Sequence, residues 1–199
     1  MVTLIANVSI DEAVLSEALA ERLFQATLNT WDIATVFIGH RLGLYRALSE
    51  VEPATAAELA AATGLAERYV REWLEQQAVA GFLECENPAA AAGVRRFALP
   101  AGHTAVLVDI DDPSFLAPLA QITMGALYPI QELLAAFRTG GGVPYADYGR
   151  DLRIGQAEMN RNLFLQQLGS EYLPAIPALH ERLLADPPAR VADIGCGVG

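Results

Sequence analysis

Residues 54–98 carry start and stop signals spaced so closely that few folds accommodate them. Thr55-x-x-Glu58 is a capping box, in which the hydroxyl and the carboxylate each satisfy an orphan amide at a helix start. The helix it opens stops at Gly64, a residue free to adopt the left-handed conformation. A second helical pattern over 67–80 has Tyr69, Val70, Trp73, Leu74 and Val79 as its apolar positions, and Gly81 ends it. Residues 82–86 then read as a strand, 87–93 as a turn and 94–99 as the return strand. Helix, tight turn, helix and hairpin in that order predict a winged helix-turn-helix.

The flanks are helical. Over 11–46, Val14, Leu15, Leu19, Leu23 and Phe24 share one face, and Trp31, Ala34, Phe37, Ile38, Leu42 and Tyr45 continue the spacing. This fits two helices, or one with a break near Asn29-Thr30. Gly39 and Gly43, four apart, either admit a close neighbour or are glycines tolerated near a helix end. A short helix is predicted after Pro100 to about Val108. Asp112-Pro113 reads as an N-cap followed by proline in the first turn, opening a long helix that ends at Gly140. A loop over 145–149, a helix over 156–168 and a proline-interrupted helix over 170–185 follow, and Asp186-Pro187-Pro188 is a stop.

Bulk properties remove several classes of function. The chain has 199 residues, 53% of them hydrophobic and 19% charged, which is a globular balance. A net charge of -11 and a pI near 4.6 repel nucleic-acid phosphates and anionic membranes. On the second helix of the unit, Arg68 and Arg71 stand four residues from Glu72, Glu67 and Glu75, leaving Arg95 and Arg96 on the wing as the best basic spot. Nucleic acid is therefore not an expected partner. No run approaches the roughly 20 apolar residues of a membrane span, and residues 1–6 lack the basic flank of a signal peptide. With two cysteines, Cys85 and Cys196, and no expected disulfide, a reducing cytoplasm is the expected location. His40, His103 and His180 show no metal-ligand spacing, so no metal is expected. The hydrophobic N-terminal helices predict a dimer interface.

The last residues carry chemistry. Residues 190–194 read as a buried strand running into Gly195, Gly197 and Gly199, with Asp193 at its end. Glycines let a backbone wrap a ligand closely at the carboxyl end of a parallel strand, and an acid there accepts a hydrogen bond from a ligand amine. Dinucleotide fingerprints place two residues between their second and third glycines; here the glycines alternate strictly. Cys196 has no partner cluster and reads as a small packed side chain.

This spacing resembles the first motif of class I S-adenosylmethionine-dependent methyltransferases, and the wider order of elements is similar to the members of that class with an N-terminal winged-helix domain. Residues 43–48 with 55–60 resemble the family's dimerisation-domain signature, 67–74 its second helix, and 148–149 with 156–160 the linker into the catalytic domain. The resemblance implies a mainly α fold: a helical segment over 1–50, a winged helix-turn-helix over 51–110, a helical linker over 111–188, and the first strand of a Rossmann-like, S-adenosylmethionine-binding domain over 189–199. It implies that Asp193, Gly195, Gly197 and Gly199 cradle the methionine part of the cofactor, and that Tyr145, Tyr148, Glu158 and Asn160 are candidates on the substrate side. It further implies a homodimer through the N-terminal helices and a small-molecule methyl acceptor. The ribose-binding acid, the adenine loop and any catalytic base there are absent, so the expectation is a fragment of a methyltransferase that is inactive alone. A winged-helix transcriptional regulator and a non-catalytic dimerisation module are the alternatives.

Overall fold

The computed structural model describes residues 12–51 and 53–198; the expected helix start at Asp11, the N-terminal segment 1–6 and Gly199 lie outside them. The fold is mainly α, built around a winged helix-turn-helix. The N-terminal pattern forms one continuous helix, α1 (Glu12–Arg41), and Gly43 at φ 67° turns the chain into α2 (Leu44–Val51). α3 (Ala56–Thr63) starts with the expected capping box. Thr55 N donates to Glu58 Oε2 at 2.7 Å and Glu58 N donates to Thr55 Oγ1 at 3.3 Å. Gly64 closes the helix at φ 69°. Replacing Thr55 with alanine removes a side-chain cap and is expected to cost about 1 kcal/mol in urea unfolding, with an unchanged m-value.

α4 (Glu67–Val79) follows, and then the wing. Its two strands are shorter than the pattern suggests: β1 (Glu84–Cys85) pairs antiparallel with β2 (Phe97–Ala98). Ala54 adds a bridge on the other side of Phe97, with N···O distances of 2.9 and 2.8 Å. Leu48, Leu59, Leu74, Leu83 and Phe97 are buried between these elements. A polar thread crosses the same core. Tyr45 Oη donates to Gln77 Oε1, Gln77 Nε2 reaches Thr35 Oγ1 at 3.0 Å, and the Trp73 indole donates to Thr35 O at 2.9 Å. Gln77 is fully buried, so these bonds remove a desolvation cost of about 1–3 kcal/mol. Burial also pushes the Tyr45 hydroxyl well above the usual phenol range. Gly39 permits the close approach considered above: a Cβ there would lie 2.5 Å from Trp73 Cζ2 and 2.6 Å from Tyr45 Cε2.

α5 (Ala101–Leu107) forms as the sequence predicts, but the next helix does not start at Asp112. Asp112 Oδ1 accepts from Ser114 N at 2.7 Å in a turn, and Phe115 is buried. Leu116 N donates to Val106 O at 2.9 Å, so the chain is held back against α5. Helix α6 (Ala117–Leu127) begins only after that, with Pro118 in its first turn. The expected single long helix is two. Pro129 has no N–H to give to Gly125 O, Tyr128 N takes that acceptor instead at 3.3 Å, and α7 (Ile130–Thr139) restarts beyond. Gly140 ends it at φ 73°.

After a 3₁₀ turn over Tyr145–Tyr148, α8 (Gly149–Asn162) starts earlier than its apolar spacing shows, and it runs directly into a π-helical stretch over Leu163–Tyr172. α9 (Pro177–Leu184) follows, with proline in its first turn. α6 packs on both α1 and α8. Residues 190–194 form no strand. Among the described residues β1 and β2 make the one sheet, and it lies in the wing, so the segment has no edge to pair with. Val191 and Ile194 are accordingly 76% and 94% exposed. A strand needs a neighbour to satisfy its amides and carbonyls, whatever its apolar pattern. No described helix is long and apolar enough to cross a membrane.

Candidate functional site

Where the end of α1 meets α5, α6 and α8, the chain encloses a cavity of about 520 Å³, within the range typical of small-molecule sites. Its apolar wall includes Leu107, Val108 and Phe115, and its polar wall includes His40, Gln121, Glu158 and Arg161. His40 Nε2 and Glu158 Oε2 stand 2.9 Å apart, joining α1 to α8. A carboxylate accepts, so Nε2 carries the proton and the pairing fixes the tautomer. The ring also meets Phe115 edge-on at 6.0 Å between centroids.

Two further ion pairs brace the rim. Arg41 Nε lies 3.1 Å from Asp151 Oδ1, which also accepts from Gln121 Nε2 at 2.8 Å. Arg161 pairs with Asp111 and donates to Ile110 O at 3.2 Å. Asn162 Nδ2 donates to Asp112 O at 2.7 Å, and Gln166 Nε2 to Asp111 O at 2.6 Å. The turn over 110–112, expected as a helix start, is thereby held against the end of α8 and the first turn of the π-helix.

Of the four substrate-side candidates, the structure brings Glu158 to this cavity. Tyr145 is exposed and its hydroxyl lies 3.5 Å from Gln156 Oε1, Tyr148 is half-buried in the 3₁₀ turn, and Asn160 is exposed on α8. None of these three lines the cavity. His40 and Phe115 were not among the candidates. His40 and Glu158 are 118 residues apart, and no local spacing signals such a pair.

The glycine loop has the backbone its sequence demands, with Gly195 at φ 83° and Gly197 at φ 70°. It forms no cradle. A Cβ on either glycine would meet nothing within 4 Å, and Asp193 is exposed. The described residues there do not enclose a cofactor of the size of S-adenosylmethionine.

On the face that would read DNA, three of the four arginines are paired with carboxylates. Arg95 Nη1 pairs with Glu75 Oε1 at 3.1 Å, Arg96 Nη2 with Glu58 Oε2 at 3.2 Å, and Arg68 Nε with Glu72 Oε1 at 2.8 Å. Glu75 is thus taken by the wing rather than by Arg71. Those bonds, led by the backbone and side chain of Thr55, hold the Glu58 carboxyl below the usual carboxylate range. His103 Nδ1 donates to Phe82 O at 2.9 Å, a structural bond at the foot of the wing. Cys85 and Cys196 are both free. Among the described residues no three metal-ligating side chains come together.

This architecture defines a winged-helix module with a helical extension carrying a small cavity at the junction. Residues 33–109 match the family model of the Rv2258c-like winged HTH domain, and this part of the chain is a winged helix-turn-helix domain of that type. Most of the chain shares its fold with part of solved methyltransferases. The mitomycin 7-O-methyltransferase MmcR is 20% identical with a TM-score of 0.56, over 79% of this chain and 48% of that one. Human N-acetylserotonin methyltransferase in complex with SAM is 16% identical with a TM-score of 0.57, over 85% of this chain and 50% of that one. PigF with SAH is 21% identical with a TM-score of 0.53, over 77% and 47%. The chain therefore spans about half the length of the solved structures it matches. No curated protein matches it significantly.

Proposed function

We propose that these residues form the dimerising and acceptor-side part of an S-adenosylmethionine-dependent methyltransferase acting on a small molecule. The observation that carries this reading is the order of parts: a winged helix of the matched type, a helical linker with a cavity, and then Asp193-x-Gly195-x-Gly197. The fold likeness to methyltransferases over most of the chain supports it. In this reading Asp193, Gly195, Gly197 and Gly199 border the methionine end of the cofactor. The walls of that pocket come from sheet neighbours that are not among the described residues, so on this reading those residues by themselves transfer no methyl group. Such catalysis rests mainly on holding donor and acceptor in line, which a loop open on every side does not do. The free cysteines suit a reducing cytoplasm.

Surfaces support the same reading. Every residue from 12 to 31 is exposed, Leu19, Leu23, Phe24 and Trp31 among them. A helix this apolar and this bare is suited to pairing with a second copy. α7, α9 and the π-helical stretch bury no residue, which leaves Phe137, Phe164, Leu165 and Leu184 open for a neighbouring domain.

The coding DNA beyond codon 199 tests the proposal. An in-frame continuation with an acidic residue about 20 positions past the glycines is expected, since that is where a ribose-binding acid falls in related folds. A continuation with no such domain would contradict it. Gel shifts with genomic DNA fragments at moderate salt are expected to show no complex, because Arg68, Arg95 and Arg96 already have carboxylate partners and the chain carries a net charge of -11. A salt-sensitive shift would favour a regulator instead.

A further inference from the structure

We infer that the cavity between α1, α5, α6 and α8 is a binding site for a small organic acid, a molecule with an apolar body and a carboxylate. The inference goes beyond the methyl-transfer reading and does not need it, because every wall named belongs to the described residues.

The chain holds 13 basic residues against 24 acidic ones, yet the cavity lining reverses that balance. Arg41, Arg46 and Arg161 line it, and Glu158 is the one carboxylate that does. Glu158 Oε2 is held by His40 Nε2 at 2.9 Å. Asp151 and Asp111 neutralise Arg41 and Arg161 from outside the lining. Arg46, exposed on α2, has no carboxylate partner among the described residues. The cavity therefore presents a cation without its anion, next to an apolar wall of Leu107, Val108 and Phe115. A carboxylate beside Arg46 gains a charge-assisted, potentially bidentate hydrogen bond, while an apolar body displaces water from the wall.

Fluorescence titration of the purified 199-residue chain with 2-naphthoate and with 2-naphthamide tests this. The two probes share an apolar body and differ in charge. Naphthoate is expected to bind at least tenfold more tightly, with a preference that shrinks as salt is raised. Arg46→Gln is expected to abolish the preference by weakening naphthoate about tenfold while leaving naphthamide unchanged, and Arg46→Lys to keep part of it. Arg46 is exposed, so far-UV circular dichroism of both variants is expected to match the parent. Equal affinity for the two probes, no binding of either at millimolar concentration, or a preference that survives Arg46→Gln overturns the inference. None of these readouts involves S-adenosylmethionine, so failure here leaves the methyl-transfer reading standing, and the reverse also holds.

Discussion

Replacing Leu19 and Leu23 together with glutamate is expected to convert a dimer into a monomer. By light scattering the parent chain should run at twice 21.3 kDa and the double variant at 21.3 kDa. Both leucines are more than half exposed, at 57% and 61%, and they sit on the stretch of α1 over 12–31 in which every residue is exposed. Burying a leucine side chain contributes about 1.5–3 kcal/mol. A symmetric interface loses each position twice, so four such contributions disappear and charges take their place. At about 1.4 kcal/mol per tenfold in Kd, that weakens association by at least about 10⁴. Helical content is expected to stay constant, because neither side chain is part of the core. A parent chain that is monomeric at all concentrations would remove the dimer from the account.

The second large effect lies at the crossing of α6 and α8. There the two helices meet backbone to backbone through reciprocal glycines. A Cβ on Gly125 would stand 2.3 Å from Leu152 N and 2.8 Å from Leu152 Cα, and a Cβ on Gly155 would stand 3.0 Å from both Ile122 N and Pro118 O. On an open helix surface, glycine to alanine gains about 1 kcal/mol through propensity. At Gly125 the methyl group meets main chain, which cannot rotate aside, so α8 has to move as a body. Overpacking of this kind costs about 1–3 kcal/mol, occasionally more. Set against the propensity gain, the net cost is up to about 2 kcal/mol, so Gly125→Ala is expected to lower Tm by up to roughly 8 °C, given about 2–4 °C per kcal/mol for a chain of this size. Gly102→Ala is the control: it is also helical, a Cβ there would meet nothing within 4 Å, and it is expected to be neutral or mildly stabilising. The displacement also separates Glu158 from His40, so any ligand of the cavity should bind more weakly to the variant.

What could be read from the sequence, and what could not, follows from the range of the forces involved. The capping box at Thr55 and Glu58, the left-handed stops at Gly64 and Gly140 and the winged order of elements are local, and they appear where the residues put them. Asp112-Pro113 carried an equally local signal and gave a turn, because burying Phe115 and bonding Leu116 to Val106 outweighed a cap. Pro129 was the missed break in the expected long helix. Gly155, which looks unfavourable inside a helix, is there for Ile122 and Pro118, more than 30 residues away in sequence. The cavity was legible only through Glu158. Its partner His40, its wall at Phe115 and its open cation at Arg46 are brought in by tertiary packing, which leaves no periodic trace. The apolar pattern of residues 190–194 is that of a buried strand, but a strand is a property of a sheet, and among the described residues none offers it a pairing edge.

Isothermal titration of S-adenosylmethionine tests the central claim most directly, run on the 199-residue chain and on the longest in-frame product that contains it. The account predicts no measurable heat for the first and one-to-one uptake for the second. Stoichiometric binding by the 199 residues alone, or none by the longer product, would contradict it.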